Sequence, residues 1–383
     1  MQCMMGPFAK RMFQLLIIAF VILQTYQDEV HAKDFTEFVK QSNNFAIQLY
    51  RQVNAKRNVV ISPFSISACL SLIAMGADGD TVDEIFRVLR YWKPDPRQQV
   101  AETYARLNKV LENDKTTTVA NKVYVKAGYE VQPSFNDVAI RSFQSETQEL
   151  NFTDNVAAAN TINDWVALKT KKKIKDFISP SALDGVTGIV LINAVHFMGS
   201  WMYQLDQSNN FSLPFWISTT ESRNIPMMTF YAYKNFADKG FSSIEIPYKN
   251  SSASMLVLLP NDRDPLEALE KQFSSLVEDT SQMLEKKIRV FLPKFKTKFS
   301  IDVQDDLTAL GMERMFSHYA DFSNLFETGE RLKVSKVIHR GFMKVDEKGT
   351  EAAAASIVEL VLTSSKQPSK SKADYPFVYG MLP

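Results

Sequence analysis

The residues that could do chemistry in this chain are few and scattered. His31, His196, His318 and His339 lie far apart. None stands in a His-x-x-x-His or Cys/His spacing that would hold a metal. There is no Gly-x-Ser-x-Gly elbow and no phosphate-cradling glycine loop. Only 13 glycines serve the whole chain. The neighbouring Asp305 and Asp306 read as a solvated helix start. His196 falls inside an apolar run, where a histidine is expected to be a hydrogen-bonded part of the core. No cofactor, metal site or catalytic constellation follows from these residues, so the chain reads as a protein that is not an enzyme.

The stretch with unusual chemistry is Glu347 to Leu362. Ala352, Ala353, Ala354 and Ala355 suit a helix. Gly349 and Thr350 before them, and Ile357, Val358 and Val361 after them, suit a strand. At period two, Thr350, Ala352, Ala354, Ser356, Val358 and Leu360 share one face, and all are small or apolar. Glu351, Ala353, Ala355, Ile357, Glu359 and Val361 share the other. Such a segment suits a solvated loop in one state and a half-buried strand in another. An ordinary alanine-rich helix end fits the same pattern.

The elements around it are more regular. Asp34 to Tyr50 has the apolar spacing of an amphipathic helix. Val59 to Ile61 reads as a short buried strand. Ser62 and Pro63 then open a helix that runs to about Met75. Thr81 is expected to cap the next helix. Further helices are predicted over Gln98–Glu112, Pro133–Ser142, Ala157–Lys172, Pro265–Phe273 and Asp302–Leu310. Strands are predicted over Thr116–Val125, up to Phe152, and over Met227–Tyr233, Ser242–Pro247, Ser254–Leu259, Lys287–Lys296 and Lys333–Val345. Gly188 to Phe197 is almost continuously apolar, as in a central strand buried on both faces. Helices come first and many antiparallel-type strands later, which is an α+β plan.

Composition sets further bounds. The chain has 383 residues, 45% hydrophobic and 23% charged, with net charge +1. That is ordinary globular composition with no global field for nucleic acid or membrane. The run Lys169, Lys171, Lys172, Lys173 and Lys175 is a local exception, either a solvated helix face or a polyanion patch. Residues 1–32 resemble a secretory signal: Lys10 and Arg11, the apolar Met12 to Leu23, and Val30-His31-Ala32 as a small-x-small cleavage site. The apolar run of about 12 residues is short of the roughly 20 that a spanning helix needs. A secreted, soluble, extracellular chain starting at Lys33 is therefore expected. Cys3 leaves with the leader, and Cys69 sits in an apolar helical pattern as a buried small hydrophobe. Asn151, Asn210 and Asn250 head Asn-x-Ser/Thr sequons and are glycosylation candidates.

Motifs in a fixed order then point to one family. Asn58-x-x-x-Ser62-Pro63-x-Ser65-Ile66 is followed by Gly76-Ala77-x-Gly79-x-Thr81. Next come Asn163-x-Trp165-Val166-x-x-Lys169-Thr170 and Asn193-Ala194-Val195-His196-Phe197-x-Gly199-x-Trp201. Met255 to Pro260, Leu292-Pro-Lys-Phe, Leu310-Gly-Met, Ala320-Asp-Phe-Ser and Val334-Ser-x-Val337-x-His339 follow, leading into Glu347-x-Gly349-Thr350-Glu351-Ala-Ala-Ala-Ala. The chain resembles the serpins over nearly all of residues 33–383, read as a single domain. The resemblance implies an α+β serpin fold, with a large mixed β-sheet, smaller sheets, about eight to nine helices and an exposed reactive-centre loop near the C-terminus, about residues 347–372.

The resemblance implies a suicide-substrate inhibitor of serine-type endopeptidases. The protease attacks the loop, an acyl-enzyme forms, and the cleaved loop inserts into the large sheet with the protease attached. Glu347, Gly349, Thr350, Glu351, Ala352, Ala353, Ala354 and Ala355 are then the hinge. Their inward face has no bulky or charged residue, which would cost about 1–3 kcal/mol or more when buried. Glu347 is expected to pair with Lys294 near Trp201. Asn58, Ser62, Ser65, Asn193 and His339 are expected to form a polar cluster where the sheet opens. Counting from Glu347 places the reactive bond at Thr363-Ser364, and a slip of one gives Leu362-Thr363. Either implies an elastase- or chymotrypsin-like serine protease as partner and a monomeric inhibitor. Family members that do not inhibit, acting as binding or carrier proteins, are the other class the resemblance admits.

Some positions depart from the family. Met198 stands where it often has Lys, and Leu205 where it often has an aromatic. Ala373-Asp-Tyr-Pro-Phe-Val378 resembles the strand after the loop. Beyond it the family's chains run on to a final core strand, whereas this sequence stops at Pro383. It therefore reads as a truncated C-terminal strand region, a splice form, a shortened gene product or a degenerate copy, with sheet edges left open.

Overall fold

A computed structural model describes residues 14–16, 29–53, 58–91, 95–113, 117–202, 211–218, 220–238, 241–249, 251, 253–260, 284–327, 331–349 and 369–382. In chain order these residues form β1 (Gln14–Leu16), α1 (Glu29–Gln52), β2 (Val59–Ile61), α2 (Pro63–Gly76), α3 (Gly79–Val88), α4 (Arg97–Asn113), β3 (Thr117–Lys126), α5 (Pro133–Phe143), β4 (Glu146–Leu150) and α6 (Asn155–Lys169). Then come β5 (Ile189–Phe197), β6 (Phe211–Trp216), β7 (Ser222–Asp238), β8 (Phe241–Pro247), β9 (Ser254–Pro260), β10 (Leu284–Pro293), β11 (Phe295–Asp302), α7 (Gln304–Ala309), β12 (Val334–Val345), β13 (Ser369–Lys372) and β14 (Val378–Leu382). Helices dominate the first half and strands the second, the α+β plan expected.

Two large sheets organise the molecule. The first has five strands in the order β11-β12-β5-β3-β4. The second has seven, running β13-β10-β7-β8-β9-β14 with β6 paired to β7. In the first sheet β5 is buried along its whole length. Its period of two divides it between two cores. Ile189, Leu191 and Phe197 join the main core behind the sheet. Val190, Ile192 and Ala194 face a smaller core on the front, under α6. There Ala158, Ala159, Ile162 and Val166 of α6 meet side chains of β3, β5 and β12. Burying Ile162 and Val166 stabilises this contact by about 1.5–3 kcal/mol each.

Behind the sheet, α2 is buried along nearly all its length. Ser62 caps it, its side chain accepting from Ser65 N–H, and Pro63 stands in its first turn, as local sequence rules require. Cys69 is fully buried in this helix, and burial pushes its thiol up to about 12, so it is inert while the protein is folded. Among the described residues no group of His, Cys, Asp or Glu is placed to hold a metal. None of the helices described is long and apolar enough to cross a membrane.

Several local expectations are corrected. Thr81 is not a cap. Helix α3 starts at Gly79, and Thr81 Oγ1 instead accepts from Asp321 N–H at 2.9 Å. Helix α6 stops at Lys169 rather than Lys172, because Lys171 and Lys172 turn into left-handed backbone, with φ of 50° and 62°. The single strand expected over Lys287–Lys296 is two strands broken at Lys294, and β11 was not foreseen. Residues 373–377 link β13 to β14 rather than forming a strand. The helix expected over Pro265–Phe273 lies outside the described residues. Gln14–Leu16, inside the segment read as a leader, pairs in parallel with Val59–Ile61 and also lies against β14.

Candidate functional site: a sheet seam and the turn above it

The centre of the five-stranded sheet is a seam. Its two sides, β5 and β12, run parallel, with His339 opposite Asn193 and Gly341 opposite Val195. No short connection joins them, since β5 ends at Phe197 and β12 begins at Val334. Parallel ladders are slightly less stable per residue than antiparallel ones. The centre of this sheet is thus held by its weaker kind of pairing.

Under the seam lies a buried polar network. Its members come from α2, β3, β5 and β12. Ser65 Oγ donates to Asn193 Oδ1 at 3.0 Å, and Ser62 N–H donates to His339 Nε2 at 3.2 Å. His339 Nε2 is therefore the acceptor, so the ring proton sits on Nδ1 and points at Asn193 Oδ1. Asn193 Nδ2 in turn donates to Asn121 Oδ1. Burial pushes the His339 imidazole down to about 4, outweighing a backbone contact at Val60 that acts the other way. The ring is neutral at physiological pH. Ser62, Ser65, Asn193 and His339 are thus brought together.

Asn58 is not part of this network. Its Oδ1 is buried and makes no hydrogen bond among the described residues. Asn121 is a member that the sequence reading missed. Its signal was there: an asparagine inside the apolar strand run Val119 to Val125, at the register position of Asn193.

Above the seam, β12 ends in a tight turn over residues 346–349. Glu347 is ion-paired with Lys294, both side chains being largely buried. Trp201 Nε1 donates to Asp346 O at 2.9 Å, and Lys344 pairs with Asp346 at 2.6 Å. Gly349 has φ +121°, and a Cβ there would lie 2.1 Å from Gly199 O. Only glycine fits, both by backbone and by space. Glu347, Lys294, Trp201 and Gly349 therefore form one packed corner that fixes where the chain leaves the sheet.

The chain reappears at β13, on the edge of the other sheet, parallel to β10. The segment between, residues 350–368, contains Thr350, Glu351, Ala352, Ala353, Ala354, Ala355, Leu362, Thr363 and Ser364, all outside the described residues. Asn210 and Asn250 also lie outside. Asn151 is exposed at the end of β4, its Oδ1 accepting from Thr153 N–H at 3.1 Å.

A family described as serpin (serine protease inhibitor) matches residues 40–382. The chain belongs to the serpin family. It is 32% identical to Antichymotrypsin-2 of Bombyx mori over 94% of each chain. To Antitrypsin of the same species it is 31% identical, over 94% of this chain and 91% of that one. The solved structure of Serpin48 from the insect Tenebrio molitor superposes with a TM-score of 0.84 at 27% identity, covering 93% of this chain and 96% of that one. The fold is accordingly the serpin fold, and protease inhibition, with no catalysis of its own, is the activity its family carries. In this serpin the five-stranded sheet is closed at its seam, and the turn over residues 346–349 lies at the end of β12 above it.

Proposed function

We propose that this serpin is a secreted suicide-substrate inhibitor of serine-type endopeptidases. The observation that carries the reading is the seam. Two parallel strands meet there without a connection, and the segment with the small, uncharged face begins directly above them. A strand entering between β5 and β12 from that turn runs antiparallel to both. It replaces one parallel ladder with two antiparallel ladders, the more stable pairing. Thr350, Ala352, Ala354, Ser356 and Val358 would face inward, and none needs a partner for a buried charge. The polar network of Ser62, Ser65, Asn121, Asn193 and His339 would re-pair as the seam parts.

The reactive bond is assigned to Thr363-Ser364, with Leu362-Thr363 one residue earlier. The residue before the cut is then Thr or Leu, which suits an elastase- or chymotrypsin-like enzyme. The relatives named Antichymotrypsin-2 and Antitrypsin are almost equally similar to this chain, so the target rests on the loop residues. Secretion rests on the leader-like residues 1–32 and on the sequons at Asn151, Asn210 and Asn250. The inhibitor would act as a monomer, without membrane or nucleic acid.

The test is incubation with chymotrypsin- and elastase-like proteases followed by SDS gel. An SDS-stable complex is expected. Plain cleavage with no complex and no gain in thermal stability would overturn the reading. Ala354→Glu places a charge on the inward face, at a cost of several kcal/mol, and is expected to convert the inhibitor into a substrate.

A further inference from the structure

Helix α6 covers the seam, and a buried ammonium group lies under one side of it. Lys122 stands in the middle of β3 and is only 4% exposed. Lysine is rarely this buried unless it is paired. In the sheet it stands between Ile192 of β5 and Glu146 of β4. Ile192 belongs to the core under α6, so Lys122 lies on the face that α6 covers. Its Nζ is 3.3 Å from Glu146 Oε2, but the Glu146 side chain is 59% exposed. An ion pair with so wet a partner contributes little.

The larger contact is with two rings. Lys122 Nζ lies 5.2 Å from the ring centroid of Tyr124 and 5.2 Å from that of Trp165. Tyr124 is fully buried two residues further along β3. Trp165 comes from α6. The indole N–H of Trp165 is buried and makes no hydrogen bond among the described residues, and the same holds for the Tyr124 hydroxyl. The polar ends of the rings therefore do not orient them; their faces around the ammonium do. Such a contact is worth most away from water. Lys169 also stands 5.8 Å from the Trp165 ring, but from an exposed position at the helix end.

The cover is fastened on both sides of the seam. On one side Lys122 of β3 holds Trp165. On the other, the Arg340 guanidinium of β12 donates to Lys175 O at 2.9 Å and to Asp176 O at 2.7 Å, in the chain that follows α6. A strand entering between β5 and β12 moves these fastenings apart by about 4.8 Å, one strand spacing. Both cannot persist. Arg340 grips carbonyls of a non-helical segment, whereas Lys122 grips a ring of the helix itself. Ala158, Ile162 and Val166 of that helix share a core with Ala120 and Tyr124 of β3.

We propose that Lys122 is a positioning residue for loop insertion. Its ammonium pins Trp165, and with it α6, to the β3 side of the seam, so that the segment held by Arg340 is the part that lets go. The proposal rests on the insertion reading above.

Hydrogen exchange of the α6 amides, followed by mass spectrometry, tests the pin. The full chain is compared with Lys122→Met, Lys122→Arg, Lys169→Met, Trp165→Leu and the double variant Lys122→Met/Trp165→Leu. Lys122→Met keeps the apolar stem and removes the charge. Exchange over residues 155–169 is expected to rise about 10- to 30-fold in Lys122→Met, to stay within about threefold of the parent in Lys122→Arg, and to change less than about fivefold in Lys169→Met. Once Trp165 is replaced, removing the charge should add little, because the two residues act as one contact. Trp165→Leu should itself loosen α6 at least as far, and it serves if Lys122→Met does not fold. A synthetic peptide of residues 349–362 is then offered to parent and variants. The parent with peptide bound should lose protection over residues 171–178 and keep it in α6, whereas Lys122→Met should lose both. Unchanged exchange in Lys122→Met, or effects additive with Trp165→Leu, would overturn the pin. Loss of α6 protection in the peptide-bound parent would overturn the positioning role. A parent that takes up no peptide would refute the insertion reading and the role of Lys122 in it, while the exchange comparison still decides whether the ammonium holds α6.

Discussion

His339 makes the stability of this serpin depend on acid in a defined way. Its ring is neutral, fully buried and hydrogen-bonded on both nitrogens, with a folded pKa of about 4. An unfolded histidine titrates at about 6.5. Between these values the unfolded chain holds a proton that the folded chain does not. Stability contributed by this residue is therefore complete above pH 6.5 and is lost as the pH falls towards 4. At about 1.36 kcal/mol per unit the full difference is about 3 kcal/mol, of which about 2.5 kcal/mol is lost by pH 4.5. The perturbation is His339→Asn, which removes the titration and keeps polar atoms at the site. The assay is urea unfolding of parent and variant at pH 7.5 and pH 4.5. The parent should lose about 2.5 kcal/mol more than the variant between the two conditions, since every other titrating group is shared and cancels. Equal losses in the two proteins would refute the assignment of a neutral, buried ring that resists protonation.

Other expectations follow from the same corner and loop. Gly349→Ala drives a Cβ into the backbone of Gly199 and should lower the urea midpoint by an amount equivalent to about 2–3 kcal/mol. A midpoint unchanged from the parent would show that the turn adjusts freely. Glu347→Ala removes the carboxylate that pairs with Lys294 in a largely buried corner; a loss of about 1–3 kcal/mol is expected by thermal or urea unfolding. Thr363→Arg should create inhibition of a trypsin-like protease if Thr363-Ser364 is the reactive bond, and mass spectrometry should then show a released C-terminal peptide that begins at Ser364. The thiol of Cys69 should resist alkylation in the native protein and react fully in urea, because burial keeps it protonated.

What could be read from the sequence was whatever is local or repeats in a fixed order. Ser62-Pro63 announces the start of α2 because capping is a matter of adjacent residues. The unbroken apolar run of β5 announces a strand covered on both faces. The motifs around Trp165, Asn193 and Lys294 carried the fold because so many of them agree in order. Events decided by contact were not legible. Thr81 looked like a cap, but Asp321 N–H claims its hydroxyl from a distant part of the chain. The end of α6 depends on an Arg340 that arrives from β12 to hold the following turn. Asn121 became part of the buried network only because β3 sets it opposite Asn193, and Asn58 stands outside that network although it heads the motif.

The short pairing of Gln14–Leu16 with Val59–Ile61 sets two events in competition. These residues lie within the apolar stretch proposed above as a secretory leader, which export would remove. The same residues pair with β2 and lie against β14, a strand near the other end of the sequence. Order in time therefore decides the outcome. A chain cleaved during synthesis would have lost residues 14–16 before residues 378–382 are made, and with them the pairing to β2. A chain that keeps these residues can pair them with β2. The intact mass of the protein recovered outside cells and of that retained inside them would tell the two histories apart.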